Sequence, residues 1–344
     1  MMKKWTGYEK GVNLGGWFSQ CNHTKERYEG FITEEDFANL STWGIDHVRI
    51  PVDYNLVETD DGRYLEEGFG YLQRAVDWCG KYGLNMILDL HKAAGYSFDE
   101  NEGENGFFTD EKLQERFYRL WEQFAKRFGG YGDRIAFELL NEVTDASYGE
   151  AWNRIADTCI QRIRQIAPTT KILVGGYWNN SVLAVKDIKL SSYENIVLNF
   201  HCYEPFIFTH QAASWVPSFP SDFWVGFPEK CEVYAEHISK YFPGMLDDFC
   251  NMTKGKTTVD SDYFERLFAE AVQVAEEKQV PLYCGEYGVI DKADVESILK
   301  WYQTIHPVFV HHGIGRATWS YKQMDFGLTD ERLQDVLEVI KENL

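Results

Sequence analysis

Two glutamates stand at the ends of short apolar stretches that are far apart in the chain. Residues 135–142 read Ile135-Ala136-Phe137-Glu138-Leu139-Leu140-Asn141-Glu142, an apolar run interrupted only by Glu138 and closed by Asn141 and Glu142. Residues 281–288 read Pro281-Leu282-Tyr283-Cys284-Gly285-Glu286-Tyr287-Gly288 and close on a second carboxylate boxed by glycines, which allow tight turns and close approach of a ligand to the backbone. A strand buried on both faces has no favourable place for a charge, so a carboxylate at its C-terminal end is a side chain delivered to a pocket. For Glu142 taken alone, capping of the next helix explains the position equally well. The pair adds more. Two carboxylates at one mouth are the minimal equipment for cleaving a glycosidic bond, one protonating the leaving oxygen and the other attacking the anomeric carbon.

The elements that must position these groups alternate along the whole chain. Strands are expected at residues 11–16, 47–52, 85–91, 135–142, 171–176, 196–203, 281–285 and 315–321, as short apolar runs. Between them the spacing predicts helices at 33–43, 68–82, 112–128, 152–166, 182–187, 262–277 and 294–311, with a last one at 331–344. In 112–128, Phe117, Leu120, Trp121, Phe124 and Phe128 fall on one stripe that stops at Gly129-Gly130. Regular strand–helix alternation calls for a parallel sheet, and eight units fit a closed (β/α)8 barrel of the TIM type. An open doubly wound sheet would carry a Gly-x-Gly-x-x-Gly turn after its first strand, and Gly15-Gly16-Trp17 lacks that spacing. The expected organisation is one catalytic barrel over residues 1–344. Residues 204–258 break the rhythm as an inserted subdomain over the catalytic mouth, rich in Phe, Trp and Pro, with a helix at 229–241.

In a parallel barrel the polar residues at strand C-termini converge on one face. Read by strand they are Arg49, His91, Asn141 with Glu142, His201 with Tyr203, Glu286, and Trp319. Packing alone does not account for eight such residues at equivalent positions.

Composition limits the partners. The 344 residues are 44% hydrophobic and 26% charged, as in an ordinary soluble globular protein. The formal net charge of −20 repels phosphate backbones, and no basic cluster makes a local exception, so nucleic acid is excluded as a partner. The first ten residues resemble neither a secretory signal nor a membrane anchor; the expectation is no membrane association, and a cytoplasmic protein or a secreted one without its leader. Seven cysteines without paired spacing suggest free thiols, and with no Cys-x-x-Cys or His-x-x-x-His nearby neither a metal nor another cofactor is expected. A monomer is expected.

The set Val48-Arg49-Ile50-Pro51, Leu90-His91, Leu140-Asn141-Glu142, Phe200-His201-Cys202-Tyr203, Gly285-Glu286-Tyr287-Gly288 and Thr318-Trp319-Ser320 resembles glycoside hydrolase family 5 (cellulase family A), over nearly the whole chain. Within that family it is most like the clostridial endoglucanase C type, which has a comparable insertion after strand six and acts on cellulose-like and mixed-linkage β-glucans. Lys92 after His91 departs from the second His of many relatives. The opening Gly11-Val12-Asn13-Leu14-Gly15-Gly16-Trp17 is similar to exo-β-1,3-glucanases of the same family.

The resemblance implies Glu142 as acid/base and Glu286 as nucleophile. It implies a substrate-binding set of Arg49, His91, Asn141, His201, Tyr203 and Trp319. Arg49 would keep Glu286 ionised and Tyr203 would orient it; Asn141 would bond the sugar 2-OH. The histidines would serve hydroxyls and the acid/base, and Trp319 would stack under the sugar. The expected function is retaining hydrolysis of β-glucan by an endo-β-1,4-glucanase, with exo-β-1,3-glucanase, β-mannanase and a silent carbohydrate-binding barrel as the alternatives. Within the insertion, Trp215 and Trp224 are the residues expected to contact sugar.

Overall fold

The computed structural model describes residues 2–344. Eight parallel strands close into a barrel in strict sequence order, β1 pairing with both β2 and β8. They are β1 (Gly11–Asn13), β2 (His47–Asp53), β3 (Asn85–Lys92), β4 (Ile135–Glu138), β5 (Ile172–Gly175), β6 (Ile196–Cys202), β7 (Leu282–Tyr287) and β8 (Gly315–Thr318).

The barrel interior is filled in layers, because inward-facing residues recur every second position along each strand. Around the strand starts Ile87, Ala136, Leu173, Val197, Tyr283 and Ala317 form an apolar layer. Trp5 and Tyr8, stacked at 4.0 Å, join it. Two residues further along β3, β4 and β6, Asp89, Glu138 and Asn199 point inward, joined by Asn13 of β1 and Arg49 of β2, all wholly buried. Glu138 therefore does not interrupt an apolar strand. It sits at the inward position after Ala136, where a buried guanidinium awaits it.

The expected helices are present with shifted ends. Glu66–Tyr82 begins two residues before the expected start, and a Cβ on Gly68 would fall 1.8 Å from the Leu56 carbonyl oxygen, so only glycine fits this crossing. Glu111–Phe128, Gly149–Arg164, Ser261–Lys278 and Val295–His312 flank the barrel, three of them capped by Asp110, Asp260 and Asp294. Residues 182–187 form a 3-10 segment.

Some boundaries differ from expectation. β1, β4 and β8 are shorter than the apolar runs that announce them, so Asn141, Glu142 and Trp319 lie beyond the regular ladder. Asn141 is still tied to β3 through its N–H to the Leu90 carbonyl, 3.0 Å. The tail is a 3-10 turn (Glu331–Leu333) and a short helix (Leu337–Glu342) instead of one continuous helix over 331–344. A short helix, Lys25–Gly30, after β1 has a Thr24 cap and was not expected. Residues 204–258 carry helices Phe206–Thr209, Cys231–Tyr241 and Leu246–Met252, and the fully buried Gln211 bonds the Val225 backbone in both directions.

Candidate active site

Arg49 is the hub. Its Nε and Nη2 donate to the two oxygens of Glu138, 2.6 and 2.8 Å, a bidentate pair that fixes the guanidinium plane. Nη1 donates to Asn13 Oδ1 and to Glu286 Oε1, 2.9 and 2.7 Å. Nη2 also meets Asn141 Oδ1 and Asp89 Oδ2, both at 3.0 Å. Burial opposes the charge on Arg49, yet Asp89, Glu138 and Glu286 outweigh it and hold the guanidinium firmly protonated. Fully buried and with its donors engaged, Arg49 lies behind the site and is removed from the residues expected to touch sugar. Burial raises Asp89 to about 7 and lifts Glu138 as well, so these two carboxyls behind the site do not both ionise readily.

Glu286 takes its second hydrogen bond from Tyr203, whose hydroxyl donates to Oε2 at 2.8 Å. Burial and the adjacent Glu286 push the Tyr203 phenol far up, so it remains a donor. The glycines beside Glu286 make room for protein, not for a ligand as expected. A Cβ on Gly285 would fall 2.8 Å from Asn199 Oδ1, and one on Gly288 2.3 Å from the Trp319 carbonyl oxygen.

Glu142 has different company. His201 Nδ1 lies 2.8 Å from Oε1, and Asn179 Nδ2 donates to Oε2 at 2.9 Å. Burial raises the carboxyl above its ordinary range, against the pull of Asn179. Burial also lowers His201 to about 4, so its imidazole is neutral near pH 7. One oxygen each of Glu142 and Glu286, with a ring nitrogen of His201, lie within 4.8 Å of one another. Glu142 does not cap the next helix, which begins at Gly149.

His91 and Trp319 form one wall, their rings nearly parallel at 5.9 Å. His91 Nδ1 is 2.7 Å from Asp89 Oδ2, and burial lowers its pKa. Trp319 lies over Gly15, where a Cβ would come within 2.7 Å of the indole. All the expected strand-end residues except Arg49 line a cleft of about 1140 Å³. Trp178, Asn179 and Phe98, none of them expected, line it too. Trp215 lines the cleft and is half exposed, whereas Trp224, also exposed, is not among the lining residues. Among the described residues no helix is long and apolar enough to cross a membrane.

Glu138, Asp89, Asn13 and Asn199 were missed because each falls in the middle of its expected strand (135–142, 85–91, 11–16 and 196–203) and faces the barrel interior. Asn179 follows β5, whose end at Gly175-Gly176 carries no polar signal. The available hint was Asn179-Asn180 itself, since Asn enters the left-handed region most readily. Trp178, Asn179 and Asn180 all adopt it, at φ 51°, 55° and 55°.

The family model described as "Cellulase (glycosyl hydrolase family 5)" matches residues 5–325. The chain is 45% identical over 315 residues to Cellodextrinase A of Ruminococcus flavefaciens, covering 92% of this chain and 86% of that protein. It is 38% identical over 331 residues to Endoglucanase C of Acetivibrio thermocellus, covering 94% of each. In fold it is similar to a structure described as a hyperthermophilic endo-beta-1,4-glucanase in complex with substrate, TM-score 0.74 and 24% identity, covering 97% of this chain and 96% of that one. The chain belongs to glycosyl hydrolase family 5, the cellulase family.

Proposed function

We propose that this glycoside hydrolase cleaves internal β-1,4 bonds of β-glucans with retention, using Glu286 as nucleophile and Glu142 as acid/base. The observation that carries the assignment is the pair of carboxylates whose facing oxygens lie within 4.8 Å, in unlike surroundings. Retaining enzymes hold the two carboxyls about 5–5.5 Å apart; inverting ones leave room for a water. Glu286, held by Arg49 and Tyr203, is fixed for attack, while Glu142, largely shielded from solvent, keeps its proton for the leaving oxygen.

In the first step Glu142 gives its proton to the glycosidic oxygen as Glu286 bonds to the anomeric carbon and the bond to the leaving sugar breaks. In the second, Glu142 takes a proton from water, whose oxygen displaces Glu286 and restores the β configuration. Asn141 accepts from Arg49 through Oδ1, leaving its Nδ2 donor for the sugar 2-OH. Trp319, His91, Trp178 and Trp215 offer flat faces to pyranose rings, and residues 204–258 wall one side of the cleft as an inserted subdomain of a single catalytic barrel.

A second reading, preference for short cello-oligosaccharides, is favoured by the 45% identity to a protein named Cellodextrinase A. Product lengths from carboxymethylcellulose, lichenan, laminarin, mannan and cellopentaose separate the readings. Early release of mixed oligomers from carboxymethylcellulose and lichenan is expected. Turnover of cellopentaose alone would favour the second reading, and laminarin or mannan as best substrate would refute both.

A further inference from the structure

Helix Val295–His312 ends in two adjacent histidines, and both turn toward one carboxylate on the neighbouring helix Ser261–Lys278. His311 Nδ1 lies 2.8 Å from Glu265 Oε1, and His312 Nε2 lies 2.6 Å from Glu265 Oε2. One donor atom from each of the three residues lies within 4.8 Å of the other two. Successive residues on a helix point about 100° apart, so both rings reaching one carboxylate is not the default outcome of helix geometry. The rings stand 4.5 Å apart. One turn inward, Phe268 stacks on Phe309 at 5.5 Å and holds the two helices together there. None of the three residues lines the cleft, and the helix that carries the two histidines ends just before β8 begins, on the side of the barrel away from the strand C-termini.

We propose that Glu265, His311 and His312 form a binding site for a divalent transition metal of the zinc class, which bridges the helices following β6 and β7. Two imidazoles and one carboxylate are a zinc donor set, leaving a fourth position for water; Mg2+ and Ca2+ prefer oxygen alone. Tetrahedral zinc with bonds of about 2.0–2.1 Å sets its donor atoms roughly 3.3 Å apart. The present nitrogen–oxygen pairs, at 2.8 and 2.6 Å, need to open by roughly half an ångström to admit the ion. Each imidazole presents its lone pair once the proton facing Glu265 moves to the other ring nitrogen or to solvent. His311 is 68% exposed and His312 20%, so the ion has a route in and the rings have room to turn. The end of a helix, where carbonyl groups point outward, also favours a cation.

Glu142, His201 and Glu286 meet the same distance condition, and an ion there would block the catalytic carboxylates. The two sites are separable by activity. The test is calorimetric titration of the whole chain with ZnCl2, with thermal melts and hydrolysis rates measured at the same zinc concentrations. The expected result is binding in the micromolar range and a melting temperature higher by about 4 °C at a hundredfold excess over Kd, with hydrolysis unchanged. His311→Ala/His312→Ala should weaken binding at least tenfold and abolish the shift while keeping the metal-free melting temperature. Co2+ should give visible d–d absorption in the unaltered chain and lose it in the double variant. Absence of zinc binding, binding that survives the double variant, or loss of hydrolysis at matching occupancy would each overturn the proposal.

Discussion

Asn179 and Arg49 divide the chemistry between two carboxyl groups that the sequence makes identical. Arg49 and Tyr203 surround Glu286 with donors, whereas Glu142 receives a single amide donor, from Asn179, besides its contact with His201. A hydrogen bond to an ionised carboxylate stabilises that form, so Asn179 pulls down a pKa that burial pushes up. Removing Asn179 therefore leaves Glu142 higher, and an acid that must be protonated stays active to higher pH. Asn179→Ala is expected to move the basic limb of the kcat/KM profile upward and to lower kcat by about tenfold, from lost orientation of the acid. A limb that stays in place or moves down would count against this role. The proposed catalytic pair, its tyrosine, both histidines and Trp319 were legible because each stands at the end of an apolar run. The inward ionic set was not, because Asp89 and Glu138 lie in the middle of apolar runs and reveal themselves only when alternate residues are followed around a closed barrel.

At the scale of elements, the loops at the strand C-termini set how the cleft meets a polymer. Trp215, on the segment after β6, lines the cleft, and exposed Trp224 does not. The sequence offered the two as equals because an aromatic-rich insertion has no periodicity that orients its side chains. Trp215→Ala is expected to reduce hydrolysis of carboxymethylcellulose several-fold, with little effect on a short aryl cellobioside; Trp224→Ala should leave both rates nearly unchanged. Equal losses on both substrates for Trp215→Ala, or a lowered melting temperature with no change in polymer cleavage, would assign Trp215 to packing instead. The strand and helix alternation was readable because buried parallel strands appear as short apolar runs and the flanking helices as amphipathic stripes. The left-handed turn at Trp178-Asn179-Asn180 was not, since what fixes it is tertiary: Asn179 N–H bonds the Val143 carbonyl, and Asn180 packs against Gly175.

Across the whole molecule, the barrel is a stack of three chemistries along one axis: an apolar layer at the strand starts, a wholly buried ionic layer around Arg49, and the carboxylates at the mouth. The ionic layer anchors Glu286 through Arg49 to Glu138, and so joins β7 to β2 and β4 across the interior. That bracing lets two residues 144 positions apart in sequence (286 minus 142) keep oxygens within 4.8 Å. The central claim is that Glu286 is the atom-bonding partner of the sugar. Its most direct test is incubation with a dinitrophenyl 2-deoxy-2-fluoro-β-cellobioside, followed by peptide mass mapping. The account predicts one equivalent of fluorocellobiosyl label on Glu286, with loss of activity in step with labelling. A label on Glu142 or any other residue, or inactivation with no covalent adduct, would contradict it.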